Sequence, residues 1–401
     1  MVTPALHVRN LGGLLGAEPS WGWRADGELL CAHGRILAIG EGAGAALHEL
    51  ERDGEQVAVL DAAGLTAVPG LIDGHVHPVA GAVSVVPPGH GWTDTYLNAG
   101  VTAMVSAGEL TFPGFSSAEL TPEAATRLAA HSAWAFGNIA APPRVYAGTL
   151  LAVPGMDREC FRQVAEAGGK CVKYIYYPFA GRRWEDEVAA YGKWADEFGL
   201  VTKMHAGGTS YQGHSLEADA DLVAAVAPRV LAHANGGPIP MDDEALAAIV
   251  ERTDCRIELI LGGNLRVLRD LVGMLWERGE LHRITVGTDT PGGNGTMPRG
   301  PLQVIAAIAG LGGVDAATAL RCGTANVAEA HGIPGGALAE GRPADLLLVG
   351  PVRGSAHSTA ADALEAGEIV GVGAVVSGGS VAALPGRYTP PPAVLPTLET
   401  T

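Results

Sequence analysis

The sequence predicts an α/β protein: a (β/α)8 TIM barrel with a small flanking β-sandwich formed by the N- and C-terminal segments. Three observations predict it. From residue 66 onward, short β-rich runs alternate with helical stretches, as βα units on a parallel sheet do. Eight such runs fit within roughly 250 residues, the arithmetic of a (β/α)8 barrel. On either side of that stretch the chain reads as strands and turns with no helical period. At 401 residues and 47% hydrophobic content, it can bury a barrel core and a second module.

In chain order, ELLCAHGRILAIGEG (28–42) reads as a hairpin with His33 and Gly34 in its turn, and VAVLDAAGLTAVPG (57–70) continues in strands. No helix is expected in roughly the first 65 residues. The barrel strands are expected at 67–77, 101–108, 144–151, 171–177, 200–208, 229–237, 256–263 and 283–290. Between them, 121–134 has Thr121 as N-cap and Pro122 at the first helical position. The stretch 185–199 ends in glycine, and 242–253 carries acids in its first turn, which suits the helix dipole. Segments 341–351 and 369–384 lack helical spacing and are expected to join the N-terminal strands. The final Pro- and Thr-rich stretch of about 15 residues is expected to be a loose tail. The expected domains are 1–66 with 337–401, and 67–336.

The net charge of −17 excludes a nucleic-acid partner on electrostatic grounds, and no basic run offsets it. Apolar stretches are interrupted too soon for a membrane span, and MVTPALHVRNLGG lacks the features of a signal peptide. Five scattered cysteines without CxxC spacing read as reduced thiols of a cytoplasmic protein. No phosphate loop follows GGNG (292–295), and no G-x-S-x-G elbow is present.

The chemistry-bearing residues gather at expected strand ends. His75 and His77 are two apart on the first strand, so both rings share one face, and imidazole is a common ligand for zinc-like metals. Alone, such a pair is as often a surface feature. Lys173 stands in an otherwise apolar run, where a charge is costly unless neutralised or paired. His205, His233 and Asp289 close the fifth, sixth and eighth expected strands. Barrel active sites are built on that rim. Each of these has a bland alternative, a satisfied core histidine or a turn aspartate. Their shared position favours a metal centre.

PGLIDGHVH (69–77) resembles the segment that opens the barrel in the amidohydrolase superfamily, and 317–349 resembles its closing helix and return to the β module. The resemblance implies two divalent metal ions, with zinc as default and iron or manganese compatible, held by His75, His77, Lys173, His205, His233 and Asp289. It implies a CO2-derived carbamate on Lys173, a hydroxide bridging the metals, and Asp289 as general base and then acid. MHAGGTSYQGHS (204–215), HANGGP (233–238) and GTDTPGGNGTMPRG (287–300) are similar to segments of enamidase-like cyclic amide hydrolases. That group carries glutamate at the fourth-strand bridging position, where this chain has Lys173, as many other superfamily members do.

The implied reaction is cleavage of a C–N bond in a small cyclic amide or lactam. The alternatives are a deaminase of the same superfamily, which would need one metal and no strand-four lysine, and a catalytically silent scaffold, which would bind no metal. Tyr174, Gly207, Gly208, Thr209 and Arg299 are candidate substrate contacts, and His90 and Glu109 fall in mouth loops. The resemblance also implies a homo-oligomer acting on a small molecule.

Overall fold

The computed structural model describes residues 5–25, 27–78, 91–109, 120–174, 185–207, 218–236, 239–291 and 295–399. In chain order the elements begin with β1 (Ala5–Arg9), β2 (Gly13–Leu14), β3 (Leu29–Ala32), β4 (Arg35–Ile39), α1 (Gly42–Arg52), β5 (Val57–Asp61) and β6 (Thr66–Pro69). Next come β7 (Leu71–Val76), α2 (Gly91–Leu97), β8 (Val101–Ser106), α3 (Pro122–Gly137), β9 (Arg144–Tyr146), β10 (Leu150–Leu151), α4 (Arg158–Glu166) and β11 (Cys171–Tyr174). They are followed by α5 (Glu185–Glu197), β12 (Val201–His205), α6 (Ala220–Val226), β13 (Val230–Ala232), α7 (Asp243–Arg252), β14 (Arg256–Ile260), α8 (Leu265–Glu277) and β15 (Ile284–Gly287). The chain ends with α9 (Gly300–Gly312), α10 (Ala316–Cys322), α11 (Ala325–His331), β16 (Leu346–Gly350), α12 (Ala360–Glu365), β17 (Gly371–Ser377), β18 (Ser380–Ala383) and β19 (Thr397–Glu399).

The protein divides into two compact units: Met1–Ile72, Gly91–Ala103 and Ile305–Thr401 form one, Asp73–His90 and Met104–Val304 the other. The first contains two five-stranded sheets, ordered β19-β5-β1-β3-β4 and β18-β17-β16-β6-β2. Buried residues of both, among them Leu6, Leu29, Leu60, Leu346, Leu348 and Val376, belong to one apolar cluster. The expected hairpin is β3–β4, paired antiparallel. His33 and Gly34 both have positive φ (52° and 75°), the conformation whose twist suits a tight hairpin.

Three expectations change here. A helix, α1, follows the hairpin and packs Ala43 and Leu47 against Leu30 and Ala38. The single strand expected over 67–77 is two, β6 pairing with β16 and β7 lying beside β8. Gly70 separates them, and a Cβ there would collide with the Thr102 side chain. The chain end is not wholly loose, because β19 pairs antiparallel with β5, Leu398 opposite Leu60.

The second unit is α/β. Strands β10 to β15 form a six-stranded sheet in sequence order, and every adjacent pair is parallel. Strands β7, β8 and β9 form a three-stranded sheet. A parallel bridge joins Val76 at the end of β7 to Thr290 just beyond β15. The intervening helices are amphipathic: α8 buries Val267, Leu268, Leu271, Val272 and Leu275, spaced to line one face. Thr121 caps α3 as the sequence suggests, accepting from the Ala124 N–H; Asp242, expected within the first turn of its helix, is the N-cap of α7 and accepts from the Ala245 N–H. Among the described residues, no helix is long and apolar enough to cross a membrane.

Candidate metal centre

The second unit buries an unusual concentration of charge. Asp73, His75, His77, Glu109, Lys173, Lys203, His233 and Glu258 are all at most 4% exposed. Strand alternation explains how they come together. Lys173 on β11 lies opposite Lys203 on β12, and His205, two residues further, shares the face of Lys203.

The predicted residues His75, His77 and Asp289 present ligand atoms within 4.8 Å of one another. The ring of His233 lies 5.4 Å from that of His75 and 4.6 Å from that of His205. Lys173 interacts electrostatically with Glu258 and Asp289. All six predicted ligands therefore belong to one neighbourhood of this unit.

The protonation pattern shows what the cluster suits. The Nδ1 of His75 faces Glu258 Oε1 at 2.5 Å, and the Nδ1 of His77 faces the Gly108 carbonyl at 2.6 Å. An ionised carboxylate and a carbonyl only accept, so each Nδ1 carries the proton. Burial pushes the His75 imidazole below its ordinary pKa despite the Glu258 charge, so it is neutral near pH 7. The two Nε2 atoms then offer lone pairs toward Asp289 Oδ1, at 3.2 Å from His75 and 2.9 Å from His77. Burial raises the Asp289 carboxyl, and facing these two Nε2 edges it is held ionised only where a positive charge, a proton or a cation, lies between them. Lone pairs converging at this distance repel unless a cation lies among them.

Orphaned atoms point the same way. Among the described residues, His75 Nε2, Lys173 Nζ and His233 Nδ1 are buried without a hydrogen-bond partner. Such groups are rare unless an ion or water satisfies them. Burial, assisted by Lys203 and opposed by Glu258 and Asp289, lowers the Lys173 amine from 10.5 to about 8. His233 and Asp289 have φ of 38° and 60°, left-handed conformations uncommon for non-glycine residues and concentrated at functional sites. Gly287 makes room beside them, since a Cβ there would sit 2.5 Å from the His75 Cβ.

The remaining candidates fare differently. Tyr174 is one residue from Lys173 and so faces the opposite side, where its electrostatic neighbours are Tyr191 and Asp196 of α5. The structure thus removes it from the cluster. Gly207 has φ 91° and passes so close to the Ile239 carbonyl that a Cβ would collide, a packing reason for glycine. Arg299 is exposed in the turn before α9. Gly208, Thr209 and His90 lie outside the described residues. Glu109 is buried beside the cluster, accepting from Ser106 Oγ at 2.9 Å and the Gly148 N–H at 2.8 Å, and burial raises its carboxyl. Sequence reasoning missed Glu258, Lys203 and Asp73, the last of which accepts from the N–H groups of His75 and Thr288.

The amidohydrolase family model matches residues 66–381, more than half of the chain. The chain belongs to the amidohydrolase family. It is a hydrolase of carbon–nitrogen bonds other than peptide bonds. A curated relative, the enamidase of Eubacterium barkeri, is 29% identical over 385 residues, covering 96% of this chain and 97% of its own. The crystal structure of enamidase matches with a TM-score of 0.88 at 28% identity, covering 98% and 100% of the two chains. N-acetyl-D-glucosamine-6-phosphate deacetylase from Mycobacterium smegmatis shares the fold, with a TM-score of 0.60 at 19% identity over 95% of this chain and 100% of that one. The amidohydrolase matches imply a TIM barrel as the frame of the parallel strands described above.

Proposed function

We propose that this amidohydrolase is binuclear and opens the C–N bond of a small cyclic amide or lactam, as the resemblance to enamidase suggests. The observation that carries this reading is the set of converging ligand atoms on His75, His77 and Asp289, with the buried, orphaned Lys173 Nζ and His233 Nδ1 beside it among the described residues. His75, His77 and Asp289 would hold one cation, His205 and His233 the other, and Lys173, carboxylated by CO2, would bridge them. Zinc is the first candidate for such a histidine-rich set, with iron and manganese accepting the same ligands.

When bound, the cations would acidify water to near neutrality and polarise the scissile carbonyl. The chain's own residues supply the proton traffic. Asp289 has a side chain 18% exposed, whereas Glu258 is fully enclosed, so only the former can meet a substrate. Asp289 would take the proton of the attacking water and return it to the ring nitrogen as the C–N bond breaks. The Nδ1 contacts of His75 and His77 hold both rings in one tautomer and orientation throughout. Lys173 must be neutral to add CO2, and burial brings its amine to about 8, within reach of that state.

The reading extends to architecture and setting. The bridge from Val76 to Thr290 supports closure of the strands into an eight-membered barrel over 67–336. The shared apolar cluster supports a sandwich built from 1–66 and 337–401. A homo-oligomer in the cytoplasm is part of the same proposal. The test is Asp289→Asn, assayed on lactams and cyclic imides with metal-loaded protein. A loss of about 10²–10⁴-fold is expected for removal of a general base. Full activity would exclude Asp289 from that role.

A further inference from the structure

Two of the buried charges, Glu258 and Lys203, have no part in the proposed chemistry. Both side chains are wholly enclosed, with no exposed area. They cannot touch a substrate, and neither is a member of the proposed ligand set. Their contacts nevertheless run to the backbone or ring of residues on several ligand-bearing strands.

Glu258 stands on β14, which carries no proposed ligand. Its Oε1 accepts from the His75 Nδ1–H at 2.5 Å and from the backbone N–H of His233 at 3.1 Å. One oxygen atom therefore contacts a residue of each proposed half-site. Lys203 stands on β12, two residues before His205, and its Nζ donates to the carbonyl of Gly74, immediately before His75. Its Nζ also lies 3.9 Å from Glu258 Oε2, an atom without a hydrogen-bond partner among the described residues. Strands β7, β12, β13 and β14 are thus tied at one level by two side chains.

We propose that Glu258 and Lys203 form a positioning pair that couples the two metal half-sites, holding the His75 tautomer, the His233 peptide and the Gly74 carbonyl together. This rests on the metal reading above. The tautomer is the central element. With the proton held on Nδ1 by Glu258, the Nε2 of His75 has a lone pair to offer. With the proton on Nε2 the ring could not ligate through that nitrogen, and its remaining lone pair would face Glu258. Glycine at position 287 is part of the device, because an added Cβ would stand 3.2 Å from the Glu258 carboxyl carbon as well as against His75. A buried pair of this kind gives little net stability after desolvation, so its placement at mid-strand, beside the proposed ligands, is better explained by geometry than by strength.

The test has two readouts on the full chain. In metal-free protein labelled with 15N-histidine, the His75 signal, assigned by its disappearance in His75→Gln, should report a proton on Nδ1. In zinc titrations, Glu258→Ala should weaken both binding steps by about 10–100-fold, the usual cost of losing a partner behind a ligand. Glu258→Gln, which retains an accepting oxygen, should recover part of that loss. A His75 proton on Nε2 in the wild type would overturn the pair. So would a folded Glu258→Ala variant that binds both zinc ions with wild-type affinity, or, if that variant does not fold, a Glu258→Gln variant losing no affinity. Wild-type protein that takes up no zinc would defeat the metal reading instead, and the His75 tautomer would then decide the pair alone.

Discussion

The two units bury very different material. The core joining the two sheets of the first unit consists of aliphatic side chains and Cys31, such as Leu6, Val8, Leu29, Leu60, Leu346, Leu348 and Val376. The interior of the second encloses four lysine or glutamate side chains, Glu109, Lys173, Lys203 and Glu258, together with His75, His77 and His233. Apolar burial stabilises by roughly 25 cal/mol per Å², whereas buried charges must first recover their desolvation cost. The first interior is arranged for stability, and the second gives up stability to hold ligands in place.

Lys173→Met presses hardest on this contrast. Removing the amine proposed to carry the bridge should abolish uptake of the second zinc ion and lower activity by at least about 10²-fold, while the metal-free protein loses no stability because a buried polar atom without a partner among the described residues is gone. Zinc analysis and thermal unfolding on the same sample check both halves. Leu348→Ala is its mirror image. It should cost about 2–5 kcal/mol of stability and leave zinc stoichiometry unchanged. A Lys173→Met protein destabilised as strongly as Leu348→Ala would erase the distinction. Gly287→Ala falls between, adding a methyl group against the His75 Cβ; overpacking of about 1–3 kcal/mol should come with weakened zinc binding.

A further contrast concerns pH. Lys173 titrates near 8 in the folded protein against 10.5 in its ordinary state. Between those values the unfolded chain binds the proton that the folded chain has released, so stability rises with pH. Above the window the amine is neutral in both states, and below it the burial penalty is complete. Urea midpoints of metal-free protein should rise from pH 8 to pH 10 more in the wild type than in Lys173→Met. Equal slopes would show that Lys173 is charged in the fold.

The rim was more legible than the layer beneath it. His75 and His77 are two apart beside a glycine, and His205, His233 and Asp289 each end a β-rich run, so local text marks them. Lys173 is conspicuous among apolar neighbours. Glu258 in RIELILGG and Lys203 in VTKMH read instead as outward-facing residues of half-buried strands. Their significance comes from partners such as His75, 183 positions away from Glu258, which no local pattern reveals. Helix α1 was obscured because Gly42 and Gly44 are poor helix formers, and its support is tertiary, from Leu30 and Ala38. The end of the chain was read as loose because the β19 partner, β5, lies far back in the sequence. Tyr174 was misplaced for a simpler reason: adjacent strand residues point to opposite faces.

Six side chains from distant parts of the chain are expected to enclose two divalent cations. Anomalous diffraction from crystals of the zinc-loaded full chain tests it directly. Two peaks are expected, one among His75, His77 and Asp289 and one beside His205 and His233, with density continuing from Lys173 Nζ between them. Zinc-soaked crystals without a peak among His75, His77 and Asp289 would contradict it.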